Sequence, residues 1–153
     1  MIEDRRYGFR VALPGVVSAR IDESDGKGPL AWRAYTSRSP GARRNAGFNA
    51  AVKVFETDSS DARALFDAGE NDASQALAIP LIGRVDGTFG AAKLPSVTLS
   101  FQSGRDGAAD MVRATVLLVV KGRRIYEVTF SVNGQDDRAA VGKALFASFA
   151  LLP

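Results

Sequence analysis

The stretch VLLVVKGRRIYEVTF, residues 116–130, constrains the fold more than any other part of the chain. Its apolar core, VLLVV, is five residues long. A membrane-spanning helix needs about 20 apolar residues, so this stretch does not read as an anchor. Val, Ile, Thr, Tyr and Phe dominate both arms, which is strand composition. Tyr126, Val128, Phe130 and Val132 fall on one face, and Glu127, Thr129 and Ser131 on the other. A tight turn at Lys121-Gly122 would join the arms, with glycine supplying a positive φ. The first arm is apolar on both faces. The sheet containing this long hairpin, residues 111–132, must therefore be covered on both sides.

The rest of the chain supplies strands and covers. In GQDDRAAVGKALFASFALLP, Val141, Ala144, Leu145, Ser148, Phe149 and Leu152 recur at helical spacing, and Asp136 or Asp137 can cap the helix. Tyr7, Phe9, Val11 and Leu13 alternate as a strand that Pro14-Gly15 ends. Val17–Ile21 and Leu30–Thr36 read as a hairpin with a long polar loop, and Phe48–Val54 as a further strand. After it, the period changes: Ser59 or Ser60 can cap a helix, with Gly69 and Asn71 expected to break it and a second piece near 73–78. Residues 79–94 are dense in Gly and Pro and read as irregular, with a short hairpin at Asp86-Gly87. Val97, Leu99 and Phe101 mark a strand. The expected class is α+β: an α/β/α sandwich, its antiparallel sheet carrying an N-terminal hairpin, a long C-terminal hairpin and a covering C-terminal helix. At 153 residues, one domain spanning 1–153 is expected.

Composition narrows the chemistry. The chain has neither cysteine nor histidine. Thiolate nucleophiles, serine–histidine–aspartate triads and His or Cys metal sites are excluded. No cofactor, no metal site and no catalytic residue is expected. Ser24 to Lys27 matches Ser-x-x-Lys, but Gly26 and its acidic neighbours favour a loop over the helix that such a pair needs. A calcium loop counted from Glu23 places Gly28 at position six but Ala34 at twelve, where glutamate is required. GRVDGTFG, residues 83–90, lacks the Lys-Ser/Thr of a phosphate-binding loop. Glu127 is the one acid in an apolar strand, on the strand's polar face. A carboxylate pair assembled in space is not testable from the sequence.

Charge is uneven. Residues 1–55 carry ten Lys/Arg against five Asp/Glu, while 56–75 carry six acids against Arg63 alone. This reads as a basic face beside an acidic helix. The basic pairs Arg43-Arg44 and Arg123-Arg124, with Trp32 and Tyr35 near the first pair in sequence, form the candidate protein-binding set. An acidic protein is the partner that set suits. The broad basic stripe of a nucleic-acid binder is missing. The segment MIEDRRYGFRV has no apolar run of signal-peptide length.

YGFRVALPG (7–15), VLLVVKGRRIYEVTF (116–130) and ALFASFAL (144–151) together resemble the PsbP-like family, also called the Mog/PsbP fold. The resemblance rests on an aromatic strand ending in Pro-Gly, on Tyr126 just after the hairpin turn, and on a closing helix with Phe146 and Phe149. Segment 102–110, QSGRDGAAD, lacks the Gly-x-Pro-Gly-x-Glu of many bacterial members. The resemblance implies an α/β/α sandwich that binds other proteins and has no shared active site. It points to a bacterial accessory protein, periplasmic or lipoprotein-type with its signal removed rather than cytoplasmic. Two other readings stay open: a chaperone or adaptor for type VI secretion effectors, working as a homodimer, and a carboxylate-based hydrolase.

Overall fold

The computed structural model describes residues 1–22, 31–39, 47–105, 108, 110–134 and 138–153, and side chains are described outside 19–22 and 31–32 as well. Ser24 to Lys27, the Arg43-Arg44 pair and the two candidate cap residues Asp136 and Asp137 lie outside the described residues.

The chain runs β1 (Ile2–Asp4), β2 (Phe9–Val11), β3 (Val16–Asp22), β4 (Ala31–Arg38), β5 (Gly47–Glu56), α1 (Ala62–Leu77), β6 (Leu81–Phe89), β7 (Leu94–Ser103), β8 (Val112–Lys121), β9 (Arg124–Asn133), α2 (Ala139–Ser148) and β10 (Ala150–Leu151). An antiparallel sheet of seven strands has the order β3-β4-β5-β9-β8-β7-β6. A smaller sheet, β1-β2-β10, and α2 cover one face, while α1 covers the other. This is the expected α+β sandwich, with the hairpins β3–β4 and β8–β9 where the sequence placed them.

The period-two arms of β8 and β9 explain the two cores. Tyr126, Val128 and Phe130 face the small sheet, packing with Phe9, Val52, Leu145 and Phe149. Val116, Leu118, Val120 and Ile125 face α1, packing with Leu65, Phe66 and Val97. Each such fully buried side chain contributes about 1.5–3 kcal/mol. The hairpin turn is one residue later than expected: Lys121 pairs with Arg124, leaving Gly122-Arg123 as the loop, with Gly122 at φ 61°.

Four expectations change, each for a local reason. Helix α1 is continuous through Gly69 and Asn71. A Cβ on Gly69 would lie 2.6 Å from Ile125 Cδ1, so glycine there lets the helix approach β9 closely rather than breaking it. The α1 cap is Asp61, whose carboxylate accepts from the Arg63 N–H, rather than Ser59 or Ser60. Residues 81–89 form the edge strand β6, and the turn falls after it, where Lys93 N–H donates to the Gly90 carbonyl. Its side chains are mostly exposed, so the β7 ladder holds it without any apolar alternation to betray it. Finally, the N-terminal strand shrinks to β2 and joins the small sheet. There β10 pairs with it, because α2 ends at Ser148 and residues 150–151 are extended. The Ser148 hydroxyl accepts from the Ala12 N–H and donates to the Leu145 carbonyl, closing the helix end.

Candidate functional site

Two places gather polar chemistry, one on each side of the seven-stranded sheet. The first lies at the end of the molecule where β1, β4 and the β8–β9 turn meet. In β4, Arg33 and Tyr35 point to the small-sheet side and Ala34 to the other. Arg33 Nη1 and the Tyr35 hydroxyl both donate to Asp4 Oδ2, at 2.7 and 2.8 Å, and the Tyr7 N–H donates to Asp4 Oδ1 at 3.0 Å. Burial by itself raises the Asp4 carboxyl pKa. The hydrogen bonds from Arg33, Tyr7 and Tyr35 outweigh it, and the net result lies below the usual carboxylate value.

Around the neighbouring Tyr7 ring, the guanidinium carbons of Arg33, Arg124 and Arg6 lie 5.2, 5.4 and 5.6 Å from the centroid. The Tyr126 hydroxyl donates to the Tyr7 carbonyl at 2.6 Å. The two arginines of the second basic pair therefore differ. Arg124 is half-buried against Tyr7 and donates to Glu56 at 3.4 Å, which ties the N-terminal segment to the sheet. Arg123 is exposed on the turn. With Arg5 and Lys121 it rims an open cleft of about 400 Å³. Tyr35 is committed to Asp4 and packs edge-on against Phe9. The backbone of Trp32 sits in β4 opposite Phe55. The structure thus joins Tyr35 and Arg124 to one network through Asp4, Arg33 and Tyr7, and separates Arg123 from it.

The second place is a groove on the α1 face, where the helix leaves β3, β4 and β5 uncovered. It holds about 470 Å³ and is lined by Arg38, Asn49, Lys53, Glu127 and Thr129, with Ala51, Ala76 and Leu77 as apolar wall. At its inner end Glu127, opposite Lys53 in the β5–β9 register, is only 2% exposed. The expected alternation along β9 holds, but its polar face is roofed by α1, so Glu127 is buried rather than solvated. Lys53 Nζ stands 3.2 Å from Asp72 Oδ2 on α1 and 3.9 Å from Glu127 Oε1. Glu127 Oε2 is sealed from solvent and accepts no hydrogen bond, while a hydrogen bond to Asp72 favours the protonated carboxyl. Burial, reinforced by the Asp72 carboxylate and opposed by Lys53, pushes the Glu127 carboxyl up to about 8.

Sequence reasoning did not find Asp4, Arg33, Lys53 or Asp72. The one available signal was an acid inside a strand of otherwise apolar and hydroxyl residues. Its lysine partner lies on β5, with α1, β6, β7 and β8 between them in the chain, and becomes a neighbour only through the β5–β9 pairing. Among the described residues, no group of three His, Cys, Asp or Glu side chains is placed to hold a metal ion. No described helix is long and apolar enough to cross a membrane.

No protein-family model matches the sequence, and no curated protein matches it. Solved structures do. LpqN, involved in cell envelope biogenesis of Mycobacterium tuberculosis, superposes with a TM-score of 0.54 at 12% identity, over 95% of this chain and 83% of LpqN. A crystal structure from Bacteroides thetaiotaomicron VPI-5482 gives a TM-score of 0.50 at 12% identity, over 95% of this chain and 45% of that one. This chain therefore spans less than half the length of the Bacteroides protein. At such identity the likeness is one of fold: the chain is built on an antiparallel α+β sandwich shared with bacterial proteins, one of them involved in cell envelope biogenesis.

Proposed function

We propose that this chain is a non-catalytic accessory domain of the PsbP-like type, acting in a bacterial envelope and docking an acidic protein on its basic end. The observation that carries the reading is the exposed trio Arg5, Lys121 and Arg123 around the open cleft, set on a rigid network that Arg124 and Asp4 hold in place. Rim charges of this kind steer and select a partner of opposite sign without taking part in the core. The envelope setting draws on the LpqN fold alone. A chaperone for secretion effectors is less well supported. It would need a broad apolar sheet face open to a client helix. Here the small sheet and α2 cover one face, α1 covers β7–β9 on the other, and the part left open over β3–β5 carries Arg38, Asn49, Lys53 and Thr129.

The test is charge reversal. Lys121→Glu with Arg123→Glu leaves the Tyr7 network intact, whereas Arg124→Glu would disturb it. Immobilised wild-type and double-variant chains are compared for proteins captured from native envelope extract. An acidic protein retained by wild type and lost by the double variant is the expected result. A captured set indifferent to the reversal would remove the basis of the proposal.

One observation favours a second reading, carboxylate-based hydrolysis: Glu127, which lines the groove, has its carboxyl pushed up to about 8, with the Asp72 carboxylate among the causes. Turnover of aryl glycosides that Glu127→Gln abolishes would establish it over a binding role.

A further inference from the structure

We propose that the free edge of β6 is a homodimer interface, where two copies of this chain pair antiparallel about a two-fold axis at Val85 and join their sheets into one. This goes beyond the docking role of the basic end and is independent of it.

Strand β6 ends the seven-stranded sheet and, among the described residues, pairs only with β7. An edge strand offers a row of unpaired N–H and C=O groups, which proteins ordinarily guard with lysine, proline, charge, bulges or a covering element. β6 is nine residues long and contains neither lysine nor proline. Its bulge falls between Leu81 and Gly83 and leaves residues 83–89 regular. Leu81, Ile82 and Val85 are 39, 61 and 68% exposed, three of the six large apolar side chains that stand exposed among the described residues. The two charges on the strand, Arg84 and Asp86, are of opposite sign, and that decides which partner suits it.

The ladder shows which main-chain groups are free. The Gln102 N–H donates to the Pro80 carbonyl at 3.0 Å, so the even-numbered residues of β7 turn their main chain towards β6. Their partners Ser96, Thr98 and Ser100 face Gly87, Val85 and Gly83. The N–H and C=O groups of Arg84, Asp86 and Thr88 therefore point out of the sheet. A two-fold pairing of β6 with itself must set outward residue against outward residue. Three registers centred on residues 84–86 do so. Centred on Arg84 or on Asp86, like charges oppose each other at the axis, which is destabilising. Centred on Val85, Arg84 faces the second copy's Asp86 and Asp86 faces its Arg84, while glycine faces glycine at positions 83 and 87. Both charges already stand on the α1 side of the strand, where Arg84 Nη1 meets Glu70 Oε2 at 2.6 Å and Arg84 Nε lies 3.4 Å from Asp86 Oδ1. On the other side Val85 meets its own copy and covers exposed apolar surface. A second copy thus supplies the unpaired backbone, the opposite charges and the apolar contact together.

The test uses the full chain, which has no cysteine, so that Val85→Cys introduces a single thiol. Residues facing one another in a non-hydrogen-bonded antiparallel pair have Cα atoms about 4.5 Å apart, within the range of a disulfide. Under mild oxidation Val85→Cys should become a covalent dimer on a non-reducing gel. Val17→Cys, at a 43% exposed position on the opposite edge strand β3, should stay monomeric. Sedimentation of the wild type from about 1 µM to about 1 mM should carry the mass from 16.2 kDa towards twice that value. Val85→Lys sets like charges across the axis at an exposed position and should raise the dissociation constant at least about tenfold. Arg84→Asp should weaken the dimer, and Arg84→Asp combined with Asp86→Arg should restore it, since only the pairing across the axis is recovered by the swap. A 16.2 kDa species at every concentration, with the Val85→Cys thiol unreacted, would overturn the proposal and leave the edge to a strand of another protein. A dimer indifferent to Val85→Lys, or faster cross-linking by Val17→Cys, would place the contact elsewhere and overturn it as well.

Discussion

Asp4 and Glu127 are two carboxyl groups buried to nearly the same degree, 3% and 2% exposed, on opposite faces of one sheet. Their surroundings differ in kind. Asp4 receives three hydrogen bonds, one of them from a guanidinium, and its carboxyl is held below the usual value. Glu127 has one distant lysine, the Asp72 carboxylate acting against its ionisation, and a carboxyl pushed up to about 8. Burial alone does not decide the charge of a buried acid. The count of donors does, because desolvation acts on both and only Asp4 has the partners to offset it.

The largest effect should come from the satisfied member. Asp4→Ala strands the largely buried Arg33 guanidinium and is expected to lower the unfolding free energy by about 3–5 kcal/mol in urea melts. A loss comparable to that of a surface substitution would erase the contrast between the two acids.

At Glu127 the sign should reverse. Glu127→Leu replaces an unmet buried polar group with an apolar one and is expected to stabilise the fold by about 2 kcal/mol near neutral pH. The pH dependence sharpens this. The folded carboxyl titrates near 8 against a reference of 4.5, so between those values the native state holds a proton that the unfolded chain has released. Wild-type stability should therefore fall as pH rises through that window and level off above about 8, while the Leu variant lacks this component. Urea midpoints measured across the window for both proteins decide the matter. Equal slopes would mean that Glu127 titrates normally.

The smallest effect concerns one of the three donors. Tyr35→Phe removes a single hydrogen bond to the Asp4 carboxylate while keeping the edge contact with Phe9, and should cost about 1.5 kcal/mol. Arg33 and the Tyr7 N–H would still hold the carboxylate. A loss as large as that of Asp4→Ala would show the network to be all-or-none.

Local information determined a good part of this molecule. The alternation in residues 116–130 was enough for a long hairpin covered on both faces, and the helical spacing from Val141 to Phe149 was enough for one of the covers. Both signals are periodic and lie within single elements. The edge strand β6 left no such trace, because backbone pairing with β7 holds it and its side chains face water. Gly69 read as a helix breaker because its purpose, close approach to Ile125, depends on an element more than fifty positions away. The chemistry was decided almost entirely in three dimensions. Glu127 was visible as a polar residue on a strand's polar face. Its burial, its lysine and its unmet oxygen arise because α1 crosses that face and β5 lies beside β9. Whether a charged group is solvated, satisfied or stranded depends on what surrounds it in space, and periodicity along a chain carries no record of that.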